Sequence, residues 1–340
     1  MIKVLIVDDS LTVREKIAQI IAHASGMEVA GKAGNGKEAV KMAMEISPDV
    51  IIMDLVMPVM DGLEATGLIM AYAPVPIIIH SSAVNRQEGY KTMDALAAGA
   101  LDFMEKNGVK WENELVERVK KISGIKVVTH IKKRVEQGRE RKTAFCENMQ
   151  RKAYNLLVVG ASTGGPKAVQ DIFSKIPADF PLPVLLVIHV VESYQSTFVD
   201  WLNSNISLKV KIAENGESVT GRKGVVFMAP SGRHLTVKNM AFCLSQDPPV
   251  NFCRPSVDVL FKSVAMDPLI KPVGVLLTGM GKDGAAGLNA IKKSGGYTIV
   301  QDKSTSMVFG MPGAAIEMGG ASVVLPDFRI SDEIIRLAGL

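Results

Sequence analysis

Residues 156–169 read LLVVGASTGGPKAV: an apolar run, a turn of small residues carrying Ser162, and a proline that opens a helix. Proline suits a first helical turn because its φ is already set and its missing N–H is not needed there. The stretch therefore reads as strand, sharp turn and helix. Its surroundings repeat that rhythm. PVLLVIH (183–189), KVKIAE (209–214), GVVFMAP (224–230), HLTVK (234–238), VGVLLTG (273–279), GYTIVQD (296–302) and ASVVLP (321–326) are strand-like. Helices are expected over 166–176, 195–204, 256–265, 284–294 and 332–338, the last with Ser331 as N-cap and Asp332 and Glu333 in its first turn. Apolar strands between amphipathic helices imply parallel pairing with both faces covered. Residues 153–340 are thus expected to form a doubly wound, mostly parallel α/β domain with a small hairpin insertion around 224–244.

The same alternation fills residues 1–122. KVLIVD (3–8), MEVAGKA (27–33), DVIIMD (49–54), PIIIHS (76–81) and ALDFMEK (100–106) are strands, with helices beginning near Ser10, Gly36, Gly62, Gln87 and Asn113. Five parallel strands in so short a span suit a flavodoxin-like sheet. Between the two halves, residues 123–152 are polar and weakly periodic, as a linker is. Residues 126–152 carry nine Lys or Arg against three Glu, whereas the whole chain is only +4. The basic excess is therefore confined to the linker, and no folded nucleic-acid reader is indicated.

At 340 residues and 47% hydrophobic content the chain has material for two cores. No apolar run reaches the roughly 18 residues of a membrane span, and MIKVLIVDDS is not a secretory leader. Three cysteines (146, 243, 253) lack metal-site spacing. Reduced thiols and a cytoplasmic location are expected.

Ligand sites of parallel α/β sheets form beyond the carboxyl ends of the strands. In the first half Asp8 and Asp9 follow the first strand, Asp54 ends the third, Ser81 the fourth and Lys106 the fifth. Three gathered carboxylates call for a hard cation, and Mg²⁺ is the natural one. With it bound, Asp54 is placed to attack a phosphoryl group whose oxygens Ser81 and Lys106 would hold.

In the second half, Gly160-Ala161-Ser162-Thr163-Gly164 matches a nucleophile elbow, G-x-S-x-G. A phosphate loop is excluded, since Pro166 stands where its lysine belongs. A nucleophilic serine needs a base. Of the five histidines, His23 and His80 fall in the first domain and His130 in the linker. His189 ends a strand, as Ser162 does, and is assigned as base; His234, after a turn, is retained as a site-lining candidate. The loop after VGVLL supplies Asp283 as the acid that orients the base. That loop also spells G-x-G-x-x-G over Gly279–Gly284, with Asp302 23 residues past its first glycine. A dinucleotide cradle is therefore one alternative, although Asp283 would face the pyrophosphate. A receiver joined to a non-catalytic docking module is another.

The acids of the first half, over about 120 residues, resemble the receiver domain of two-component response regulators. The stretches VVGASTGGPKA, FMAPSGRHL, RPSVDVLFKSVA, LLTGMGKDGAAGL and QDKSTSMVFGMPGAAI make the second half similar to the catalytic domain of chemotaxis protein-glutamate methylesterases. The resemblance implies phosphorylation of Asp54 by a histidine kinase, and Mg²⁺ held by Asp8, Asp9, Asp54 and the Val56 carbonyl. It implies Ser162 as nucleophile, His189 as base, Asp283 as acid, and the Thr163 and Met280 amides as oxyanion hole. It further implies hydrolysis of glutamate methyl esters on chemoreceptor helices, often with glutamine deamidation, without a cofactor for that step. Phosphorylation relieves a block by the receiver in this family. Two departures stand out: Lys106-Asn107 replaces the usual Lys-Pro, and Ile188-His189-Val190-Val191 the usual Gln-His-Met-Pro.

Overall fold

The computed structural model describes residues 1–81, 86–106, 111–125, 127 and 154–340. The chain divides into two compact units, Met1–Arg139 and Glu140–Leu340. The expected linker lies largely outside the described residues, as does Asn107.

In the first unit β1 (Ile2–Val7), β2 (Met27–Ala33), β3 (Val50–Met53), β4 (Ile77–Ser81) and β5 (Asp102–Glu105) form one parallel sheet in the order β2-β1-β3-β4-β5. VIIM and IIIHS are buried at every residue, because helices cover both faces. Local sequence sets the helix starts. The side chains of Ser10, Asn35 and Asp61 each accept an amide of the first turn that follows, each cap contributing about 1 kcal/mol. The five helices begin at Leu11, Gly36, Gly62, Arg86 and Trp111, all within two residues of the sequence expectation.

The second unit holds β6 (Leu156–Ala161), β7 (Val184–Ile188), β8 (Lys209–Ile212), β9 (Val225–Met228), β12 (Pro272–Leu276), β13 (Tyr297–Gln301) and β14 (Val323–Leu325). They form a seven-stranded sheet in the order β14-β13-β12-β6-β7-β9-β8. All pairs are parallel. The hairpin is smaller than expected: β10 (His234–Lys238) pairs with β11 (Ala241–Ser245) only, while β9 continues the main sheet between β7 and β8. Leu235, Val237 and Phe242 of the hairpin pack into the same core as β6 and β7, which is why it stays against the domain.

Two helices differ from the expectation. The last spans Asp327–Leu337, and Ser331 is buried within it rather than capping it. Pro326 halts the preceding strand, Thr305 Oγ1 accepts the Asp327 amide at 3.0 Å, and burial of Ile330 and Ile334 carries the helix five residues further back. A further helix, Gly310–Glu317, has the sequence GMPGAAIE, whose glycines and proline mask it.

Candidate active site

In the second sheet β6 is flanked by β7 on one side and β12 on the other. The chain moves outward from β6 through β7, then returns to β12, so the β6/β12 boundary is the topological switch point where ligands bind. Ser162 follows β6, His189 follows β7, and the loop after β12 carries Asp283. Backbone bonds fix the three ends together: His189 N donates to Ala161 O at 3.2 Å and Ser162 N to Thr278 O at 3.0 Å. At Gly279 a Cβ would lie 2.8 Å from Ser162 Cβ and would overlap Met311 Sδ, so only glycine allows the loop to press against the serine. Gly284 has φ +87°, and a Cβ there would meet Leu276 and Val257 at 2.6 and 2.7 Å. The glycines of the G-x-G-x-x-G thus permit close packing of the loop.

Asp283 is buried and faces inward. Its Oδ2 lies 3.1 Å from His189 Nε2 and accepts the Val257 amide at 2.7 Å. Its Oδ1 accepts from Ser256 Oγ at 2.6 Å, Asn251 Nδ2 at 3.0 Å and the Asp258 amide at 3.2 Å. Five donors therefore surround one carboxylate. Burial alone would raise its pKa, but His189, Ser256, Asn251 and the Val257 amide outweigh that and hold it down to about 2. The reciprocal effect falls on His189. Burial would lower the imidazole, but the bond to Asp283 leads the contributions that lift it to about 9.

A carboxylate only accepts, so when the His189 ring is neutral Nε2 carries the proton and Nδ1 presents the lone pair. This reverses the ring orientation of the chymotrypsin-type template, in which the acid holds Nδ1. Cys253 Sγ stands 3.8 Å from that Nδ1. Among the described residues no hydrogen bond joins Ser162 Oγ to the ring. Such contacts commonly close only with substrate bound. The Thr163 and Met280 amides donate to no protein acceptor among the described residues, leaving both available at this edge.

His234 lies one step behind the site. It is buried, accepts the Ser256 amide on Nδ1 at 3.2 Å, and places Nε2 3.2 Å from Pro248 O. Sequence reasoning passed over Asn251, Cys253 and Ser256. Ser256 carries a readable signal, since it caps the helix Val257–Met266 and Asp258 follows in the first turn. Asp302, the ribose partner of a dinucleotide reading, spends its carboxylate on Ser304 and Thr305.

At the carboxyl edge of the first sheet, oxygens of Asp8, Asp9 and Asp54 lie within 4.8 Å of one another. Lys106 Nζ pairs with Asp8 Oδ2 and Asp54 Oδ2, both at 2.8 Å. Burial raises the Asp54 carboxyl above its ordinary range against the pull of Lys106. Lys106 is itself raised, because Asp54 and Asp8 outweigh its burial. Ser81 is buried at the end of β4, and Asp9 and Val56 are exposed. The donor set is all oxygen and open on one side, which fits a hard cation that keeps waters.

Fold and site together define a class: a receiver-type α/β unit followed by an α/β unit with a His–Asp pair and a serine at its switch point. Residues 4–120 match the response regulator receiver domain model and residues 157–334 the CheB methylesterase model. Protein-glutamate methylesterase/protein-glutamine glutaminase 1 of Syntrophus aciditrophicus is 40% identical, covering 100% of this chain and 99% of that one. A relative from Archaeoglobus fulgidus with the same designation is also 40% identical, covering 98% and 97%. The crystal structure of the Thermotoga maritima CheB methylesterase catalytic domain matches with a TM-score of 0.51 at 38% identity, covering 55% of this chain and 100% of that chain. The chain belongs to the CheB methylesterase family.

Proposed function

We propose that this chain hydrolyses glutamate γ-methyl esters on chemoreceptor helices, and deamidates glutamines there, under control of phosphorylation at Asp54. The observation carrying the reading is the His189–Asp283 pair, 3.1 Å apart, on the strand edge that ends in Ser162. Ser162 gives its proton to His189 Nδ1 as Oγ attacks the glutamyl carbonyl. The Thr163 and Met280 amides stabilise the resulting oxyanion, each good donor contributing roughly 3–4 kcal/mol. His189 returns the proton to the departing methoxide, and methanol leaves an acyl-serine. A water then gives a proton to His189 and attacks the same carbonyl; Ser162 recovers the proton and glutamate is freed. With ammonia as leaving group the same steps convert glutamine to glutamate, the second activity in the relatives' names.

In the receiver, residues 1–122, Asp54 accepts the phosphoryl group from a histidine kinase. Asp8, Asp9, Asp54 and the Val56 carbonyl would hold Mg²⁺, which neutralises phosphoryl charge. Lys106 is already placed between Asp8 and Asp54 and would follow the new oxygens, as would Ser81. The linker, 123–152, joins it to the catalytic domain, residues 153–340. Among the described residues no helix is long and apolar enough to cross a membrane, in keeping with action in the cytoplasm on the receptors' cytoplasmic helices. Methanol release from methylated receptor, with and without a phosphoryl donor, tests the reading. Loss of release in Ser162→Ala and loss of stimulation in Asp54→Ala are expected. Release by Ser162→Ala at the wild-type rate refutes the chemistry, and equal stimulation in Asp54→Ala refutes the control.

A further inference from the structure

Directly beside the His–Asp pair the chain makes a tight turn. Val250 and Cys253 exchange both backbone hydrogen bonds, Val250 N to Cys253 O at 3.1 Å and Cys253 N to Val250 O at 2.9 Å. Asn251 and Phe252 between them have φ of +53° and +63°. Turns with both central residues left-handed normally take Asn-Gly, because only glycine adopts the second position without cost. Here the second position is phenylalanine, and the residue is fully exposed. A bulky residue at positive φ is a backbone outlier, and such strain gathers where function needs it.

The turn is held on both sides by the site. Asn251 Nδ2 reaches Asp283 Oδ1 and Asp258 Oδ2, both at 3.0 Å, and Cys253 Sγ stands 3.8 Å from His189 Nδ1. Phe252 is therefore a phenyl ring on a short arm anchored to the acid and the base. Being fully exposed, it gains the fold nothing by burial, and its backbone angle opposes it. Neither packing nor turn formation accounts for phenylalanine at this position.

We infer that Phe252 is a substrate-positioning residue, packing on the apolar side of the receptor helix that presents the ester to Ser162. The inference rests on the methylesterase reading. A helix offers apolar residues three and four positions from a given side chain, so one aromatic contact sets which residue faces the serine.

The test compares wild type, Phe252→Ala and Phe252→Gly as full-length phosphorylated chains. Each is assayed on methylated receptor and on a small glutamate γ-methyl ester. The expected outcome is a loss of about tenfold or more in kcat/KM on receptor, carried mainly by KM and consistent with losing one buried aromatic contact. Activity on the small ester should stay within twofold. Phe252→Gly should also melt about 2–4 °C higher in its catalytic domain, since it relieves the turn. Equal losses on both substrates would mean that the turn acts only through the His–Asp pair, and would overturn the inference. Unchanged receptor kinetics would also overturn it. A third overturning result is raised activity of the unphosphorylated Phe252→Ala chain, which would make the ring a contact for the receiver. A wild type inactive on both esters would instead sink the methylesterase reading, and the inference with it.

Discussion

The His189 imidazole carries the sharpest consequence of the site's electrostatics. As the proposed general base it would act only when neutral, yet it is lifted to about 9 in the fold. At pH 7 a group of that pKa is neutral in roughly one molecule in a hundred. Hydrolysis of a small glutamate ester should therefore climb close to tenfold per pH unit from pH 7 to 8 and level off above about 9. Burial alone would lower the ring, and Asp283 leads the opposing influences. In Asp283→Asn the limb should accordingly move to lower pH, to 6.5 or below. The plateau should fall by roughly 10⁴, because the amide no longer fixes the tautomer. Stability follows the same group. Its folded pKa is raised above the unfolded value of 6.5, so the contribution is fully present below pH 6.5 and is lost as pH rises through about 9. The gap corresponds to about 3 kcal/mol. The assays are kcat/KM against pH from 6 to 10 and unfolding of the catalytic domain over the same range. A wild-type profile flat above pH 7, or an Asp283→Asn limb at the wild-type position, refutes the reasoning.

Ser256→Ala removes the 2.6 Å bond to Asp283 and the N-cap of the helix Val257–Met266. A cost of about 3 kcal/mol in denaturant unfolding is expected, and a loss under about 1 kcal/mol contradicts the shared role. Gly279→Ala places a methyl 2.8 Å from Ser162 Cβ, so kcat should drop at least about tenfold while circular dichroism is preserved; a wild-type rate argues against close packing of the loop on the serine. His80 is buried beside Trp111, ring centroids 5.3 Å apart, and burial, then Lys106, lower its pKa to about 3. Because the unfolded ring binds a proton the folded one refuses, receiver stability should decline as pH falls from 6.5 towards 3, by up to about 5 kcal/mol. His80→Phe should flatten that decline, and an unchanged slope shows that other groups cause it.

Much of this was legible in the sequence because hydrophobic runs at short intervals leave few alternatives to parallel α/β sheets. Ser162, His189 and Asp283 were readable one by one, each as a polar residue just past an apolar strand, and the switch point brings those ends together. What escaped was what sequence distance hides. The four Asp283 donors other than His189 come from residues 25 to 32 positions upstream, and no local pattern reports them. Ser331 misled because Ser-Asp-Glu mimics a helix start, whereas Pro326 and the Thr305 hydroxyl set the real one. The ring orientation of His189 was equally invisible, since it depends on which nitrogen meets the carboxylate.

Two of the five donors around Asp283 are the first amides of the helix Val257–Met266, and a third is that helix's own capping hydroxyl. The acid of the proposed triad thus also seals the end of a core helix. A variant that silences this carboxylate will loosen the domain along with the chemistry, and its inactivity will be ambiguous. Substitution at Ser162, whose hydroxyl makes no hydrogen bond among the described residues, separates the two, and the proposed chemistry makes it the position for an inactive yet fully folded trap for receptor complexes.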